Sequence, residues 1–174
     1  MKAALLLFSE QGYDDTTVAQ IAERAGLTKS TFHRHFPDKR DVLAAGQETL
    51  SRLLSEGIAA APADASPLDA VAQGLRRAAV AFRPEIAARI KAVVATSAEL
   101  QERAALKQVG MAAAMADALL ARGVTEPVAR LSAEIGSLAL KEGFAEWAPK
   151  AATADVGMLM TSQLERLRKL AGQL

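Results

Sequence analysis

No cysteine occurs among the 174 residues. That excludes a disulfide scaffold, a thiol nucleophile and thiolate metal sites, and it is compatible with a reducing cytoplasm, the compartment expected here. Only two histidines are present, His33 and His35. Two residues apart on a helix they point about 200° apart, so they cannot chelate one ion, and no metal or other cofactor is expected. Outside that pair there is no histidine to serve as base for a serine nucleophile, so an enzyme is not expected either. Aromatic residues make up 4%, and net charge is nearly absent at +1, from 21 Lys plus Arg against 20 Asp plus Glu. Any nucleic-acid surface must therefore be local. No stretch approaches the ~20 apolar residues that span a bilayer, and the run at 3–8, AALLLF, is short for a secretory signal, so no membrane partner is expected.

What is abundant is Ala and Leu within a hydrophobic fraction of 51%, which points to an all-helical protein. A first helix carries Ala4, Leu7 and Phe8 on one face and stops at Gly12. Thr17 with Gln20 forms a capping box for a helix over 18–25, which Gly26 ends. Thr28 caps a third helix reaching Phe36, where Pro37 turns the chain out. Asp38 caps a fourth, long helix expected to run unbroken to about residue 60, with Val42, Leu43, Leu50, Leu53, Leu54 and Ile58 as its apolar stripe. The segment 61–67, APADASP, reads as a loop. Further helices are expected over 68–82, 84–96, 98–122, 127–147 and 155–170.

The chemistry is concentrated at 17–39. Phe32 and Phe36, four apart, turn toward a core with Leu7, Phe8, Ile21 and Ala22. The opposite side of that helix holds Ser30 and Arg34, flanked by Thr31 and His33. No acidic residue lies from Arg24 to Pro37, and Lys29, Ser30 and Thr31 occupy the first turn, where a recognition helix meets base edges. A basic surface turn in an ordinary helical protein is the alternative reading of the same residues.

The run GY at 12–13, TT at 16–17, IA at 21–22, AGLTKSTFHRHF at 25–36 and DK at 38–39 resembles the N-terminal DNA-binding domain of the TetR family of bacterial transcriptional regulators. The resemblance covers roughly the first 45 residues. It implies a helix-turn-helix domain at 1–45 followed by a helical effector-binding and dimerisation domain at 46–174. It implies too that Thr17 caps its helix at a phosphate, that Lys29, Ser30, Thr31, His33 and His35 face bases or backbone, and that Lys39 binds phosphate; Arg34, cationic and on the same exposed side, is a DNA-binding candidate from its position alone. His33 stands where the family usually has Tyr, and the family's first helix normally begins about two turns earlier. The implied activity is that of a repressor released from its palindromic operator by a small apolar effector. A helical ligand-binding or protein-interaction module without DNA binding is the rival.

In the second region the helix over 128–147 is apolar on two faces, Leu131, Ile135 and Leu138 against Leu140, Phe144 and Trp147. A second subunit is the expected cover for one of them; burial of both faces within one chain is the alternative. Together with Met160, Leu164 and Leu167 of the last helix, that surface resembles the family's homodimer interface. Met111 and Met115 lie among alanines and, with Phe82, Phe144 and Trp147, form a candidate effector pocket; plain core is the alternative for the same methionines.

Overall fold

The computed structural model describes residues 1–173, the side chain of residue 44 excepted. Nine α-helices and two short 3-10 helices appear among the described residues, and no strand. The α-helices are α1 (Lys2–Gln11), α2 (Val18–Arg24), α3 (Lys29–His35), α4 (Gln47–Ala59), α5 (Pro67–Ala79), α6 (Pro84–Ala95), α7 (Ala98–Ala121), α8 (Glu126–Trp147) and α9 (Val156–Ala171). The all-helical expectation holds, and most boundaries fall within two or three residues of those read from caps and breakers.

One helix does not. The stretch from 38 to 60 is a 3-10 helix, Lys39–Ala44, followed by a break and then α4. Gly46 sits at the break with φ +82°, a backbone region that disfavours side chains, so one continuous helix is ruled out at that residue. Asp38 still caps, but it caps the 3-10 helix.

The chain divides into two compact units, and the division is not at residue 45 alone. Met1–Ala45 and Glu85–Lys107 form the first; Gly46–Pro84 and the chain from Gln108 onward form the second. In the first unit, Leu5, Leu7, Phe8, Tyr13, Ile21, Phe32 and Leu43 make a core to which Val93 and Leu100 also belong, with Ile86, Ile90 and Val94 packed on it. The expected 1–45 domain therefore borrows α6 and the start of α7. Two ion pairs reinforce the loan, Arg40 with Glu99 at 3.1 Å and Arg103 with Asp41 at 2.9 Å.

In the second unit α4 packs on α5, and α8 on α9, with α5 also against α8 and α9. The contacts are close because the residues are small. A Cβ at Gly57 would lie 2.7 Å from the Gln73 carbonyl oxygen and 2.7 Å from the Gly74 Cα, so these two glycines let the α4 and α5 backbones touch. Arg122 closes α4 from a distance, its guanidinium donating to the carbonyls of Ile58, Ala59, Ala61 and Pro62 at 2.6–3.4 Å.

The 24-residue α7 contains an 18-residue stretch of mean hydropathy 1.2, long and apolar enough by length and composition to cross a membrane, contrary to the reading of the sequence. Alanine supplies much of that apolarity. Met111, Ala112, Met115 and Leu119 are buried, and Leu106, Val109 and Leu120 lie exposed.

Candidate nucleic-acid interface

The α2–turn–α3 segment is built by its caps. Thr17 Oγ1 accepts from the Gln20 amide at 3.3 Å while Gln20 Oε1 accepts from the Thr17 amide at 2.8 Å, a reciprocal pair that fixes the first turn of α2. Thr28 Oγ1 accepts from the Thr31 amide at 3.1 Å and does the same for α3, with the two hydroxyls 2.9 Å apart. Phe32 anchors α3, 3% exposed in the core, its ring 5.3 Å from Phe36 and edge-on to His33 at 5.7 Å.

With that side anchored, Lys29, Ser30, His33, Arg34 and His35 are exposed and Thr31 half-exposed. Lys29 and Arg34 have no ion-pair partner among the described residues. Arg24 does: its guanidinium grips Glu10 through two bonds of 2.7 and 2.8 Å, which also holds the Glu10 carboxyl below its usual range. The cationic character of the segment thus rests on α3 and not on Arg24.

Lys39 turns onto the protein's own backbone. Its ammonium donates to the carbonyls of Tyr13 at 2.7 Å, Thr16 at 3.0 Å and Asp14 at 3.2 Å, and stands 4.3 Å from the centroid of the Tyr13 ring. These three bonds make Lys39 a tie across the α1–α2 turn. The Tyr13 phenol is buried with no hydrogen-bond partner among the described residues; burial first, and the nearby Glu99 carboxylate second, push its pKa above the usual value.

Reading the sequence missed the contribution of residues 85–107 to this unit. The signal was present as an apolar stripe at Ile86, Ile90, Val93 and Val94 and as Glu99 and Arg103 four apart on α7, but nothing local says which partner such a face meets.

In the second unit three of the five candidate pocket residues come together. Phe82, Phe144 and Trp147 form a triangle of rings with centroids 5.6, 6.0 and 6.1 Å apart, and Trp147 Nε1 donates to the Ala154 carbonyl at 2.7 Å. Met111 and Met115 are buried on α7, where Met115 Sδ fills the space in front of Gly136. They pack the core.

The outer face of α8 carries the exposed Leu131 (63%), Leu138 and Val128, with Ile135 half-buried between them. Met160 and Leu164, expected to meet a partner subunit, are instead 0% and 1% exposed within the subunit, because Gly143 of α8 lets the α9 backbone approach so closely that Met160 seats in the core. Leu167 is half-buried.

Residues 1–45 match the family model of bacterial regulatory proteins, tetR family. Over 76 residues the chain is 36% identical to the HTH-type transcriptional regulator TcmR of Streptomyces glaucescens, covering 44% of this chain and 34% of that regulator. The chain thus spans about a third of the length of that curated relative. The fold extends the likeness: the fatty acid degradation regulator FadR from Bacillus halodurans superposes with a TM-score of 0.59 over 95% of this chain and 94% of its own, at 21% identity. Thermus thermophilus FadR, a TetR-family repressor solved in complex with lauroyl-CoA, gives 0.51 over 95% and 90%, at 20% identity.

Proposed function

Because the chain belongs, through its N-terminal domain, to the tetR family of bacterial regulatory proteins, we propose that it is a DNA-binding transcriptional repressor, working as a homodimer and released from a palindromic operator by a small apolar effector. The observation that carries this reading is the exposed, donor-rich side of α3, where Lys29, Ser30, His33, Arg34 and His35 form no ion pair among the described residues while Phe32 holds the helix on its core. Lys29 and Arg34 supply charge for phosphates and guanine edges; Ser30, Thr31 and the imidazoles supply shorter-range donors and acceptors. Thr17, already in its capping box, presents the start of α2 to backbone phosphate.

The exposed Val128, Leu131 and Leu138, with the half-buried Ile135 between them, support a second copy as their cover. A two-fold pair of heads reads half-sites about 34–36 Å apart. The ring triangle of Phe82, Phe144 and Trp147 is the proposed effector wall, an apolar surface whose one polar handle, the indole N–H, is already satisfied. Ligand and operator affinities are then reciprocally linked.

The test is fluorescence anisotropy on a palindrome from upstream of the chain's own gene, at several salt concentrations. Wild type should bind with a steep salt dependence, and Lys29→Ala or Arg34→Ala should flatten it by about 1 for each phosphate contact removed. Binding that is absent or independent of salt favours a helical interaction module. Sedimentation should give a dimer, and Leu131→Glu a monomer. Trp147 is the chain's one tryptophan, so quenching of its emission reports effector binding directly.

A further inference from the structure

Both of the chain's histidines stand on α3, exposed to solvent. Among the described residues neither imidazole has a hydrogen-bond or ion-pair partner; each only rests on a ring, His33 edge-on to Phe32 at 5.7 Å and His35 against Phe36 at 6.4 Å. Imidazole is the side chain whose charge ordinarily changes between about pH 5 and 8. The protein thus puts its two neutral-range titrating side chains on the helix that carries the free cations Lys29 and Arg34 and pairs neither with a carboxylate.

The two imidazoles differ in their surroundings. His33 lies one turn after Lys29, so imidazole and ammonium share one side of α3. His35 points about 200° away from His33 and lies one turn after the neutral Thr31. From α2, which packs on α3, the nearby charged residues are Glu23 and Arg24, the latter taken by Glu10; from the chain that follows α3 they are Asp38, Lys39 and Arg40. Asp38 is committed to capping, and Arg40 is paired with Glu99. In the free protein the Lys29 charge disfavours a proton on His33. A phosphate laid across both side chains reverses that preference, so anion binding and proton uptake reinforce each other.

We propose that His33 is a proton-linked contact: duplex binding takes up one proton at this imidazole, which then lies with Lys29 against one backbone phosphate. The inference rests on the DNA-binding reading above. Because the phosphate favours the charged form, His33 titrates at higher pH in the complex than in the free protein. The added affinity is fully present below the free-protein midpoint and is lost as pH rises through the midpoint of the complex.

Fluorescence anisotropy on the same palindrome, from about pH 5.5 to 8.5 at constant ionic strength and at several salt concentrations, tests this. Wild type should lose about tenfold in affinity across the range, and its salt slope should fall by about 1. His33→Gln should bind at the weak limit throughout and His33→Lys at the tight limit, while His35→Gln keeps the wild-type profile. The ring is exposed, so Tm should be unchanged in all three variants and loss of fold is excluded as the cause. Affinity independent of pH in wild type, or a dependence that survives in His33→Gln, overturns the inference and leaves DNA binding standing. A dependence that survives in both glutamine variants assigns the proton elsewhere, first to the Met1 amino group, whose pKa burial lowers from 8.0. No binding to duplex at any pH overturns the DNA-binding reading, and this inference with it.

Discussion

The two units differ in how closely their helices approach one another. The first closes around large side chains, Leu5, Phe8, Tyr13, Ile21, Phe32 and Leu100, with rings edge-on as in the Phe8–Tyr13 pair at 5.1 Å. The second also buries large side chains, Leu54, Ile58, Leu75, Met115, Leu119 and Met160, but its helices cross over small ones: α8 buries Ala129, Ser132, Ala133, Gly136, Ser137, Ala139 and Gly143. A core of large residues is sensitive to truncation, because every lost methylene leaves a hole. A core of small residues is sensitive to enlargement, because backbones already touch and cannot retreat. The difference also bears on function, since a head that presents α3 must hold it at one angle, and bulky interlocking groups do that.

Enlargement in the second unit should give the largest effect. Gly57→Val pushes a side chain against the Gln73 carbonyl and the Gly74 Cα, both 2.7 Å from where Cβ would stand. The expected cost is about 4 kcal/mol, read as a collapse of the urea midpoint. A loss below about 1 kcal/mol would mean α4 and α5 can separate freely, and the contrast between the units would fail.

Truncation in the first unit comes next. Leu100 is fully buried and lies 64 positions beyond Phe36 in the chain, yet shares a core with it. Leu100→Ala should cost about 3 kcal/mol and weaken duplex binding, although no residue of α3 is altered. Retained binding with lost stability would show that the head holds its angle without α7.

Lys39→Met is the third. Three carbonyls of the α1–α2 turn lose their donor, at about 2 kcal/mol in thermal unfolding. The slope of binding against salt should stay where it was. A slope reduced by about 1 would restore the phosphate contact that the resemblance implied for this residue.

What was legible in the sequence, and what was not, follows range. The caps at Thr17, Thr28, Asp38 and Asp155 and the stop at Pro37 act within a few residues, so spacing alone locates them. The exposed side of α3 was legible too, because Phe32 and Phe36 declare the buried side by size. The membership of 85–107 in the first unit was not, since an apolar stripe names no partner. The surroundings of Lys39 were not legible for a related reason: a lysine's spacing says that it is charged, not that three carbonyls lie within its reach. Met160 and Leu164 were assigned outward because the small residues of α8, Gly143 above all, make a face that hydropathy hardly marks. The break at Gly46 was hidden because a single glycine inside an apolar stripe also occurs in intact helices.

The smallest expected effect has the opposite sign. Lys107 is the last residue of the first unit, largely buried, and among the described residues its ammonium finds only the Leu43 carbonyl, at 3.4 Å. Burial lowers its pKa from the ordinary 10.5. Between the folded pKa and 10.5 the unfolded chain binds more protons than the folded one, so this group adds stability as pH rises through that window, and below it the buried charge is a standing cost. Tyr13 acts the other way: its raised pKa means that the folded state keeps a proton the unfolded chain sheds above 10.0, which removes stability at high pH. The two are separated by difference. Lys107→Met keeps most of the stem and drops the charge, so it should raise stability at neutral pH by about 1 kcal/mol, or about 2–4 °C in Tm, and that advantage should shrink as pH approaches 10.5 while the Tyr13 effect cancels between the two proteins. A variant less stable than wild type at neutral pH would show that the bond to Leu43 outweighs desolvation, making Lys107 a structural tie in the same sense as Lys39.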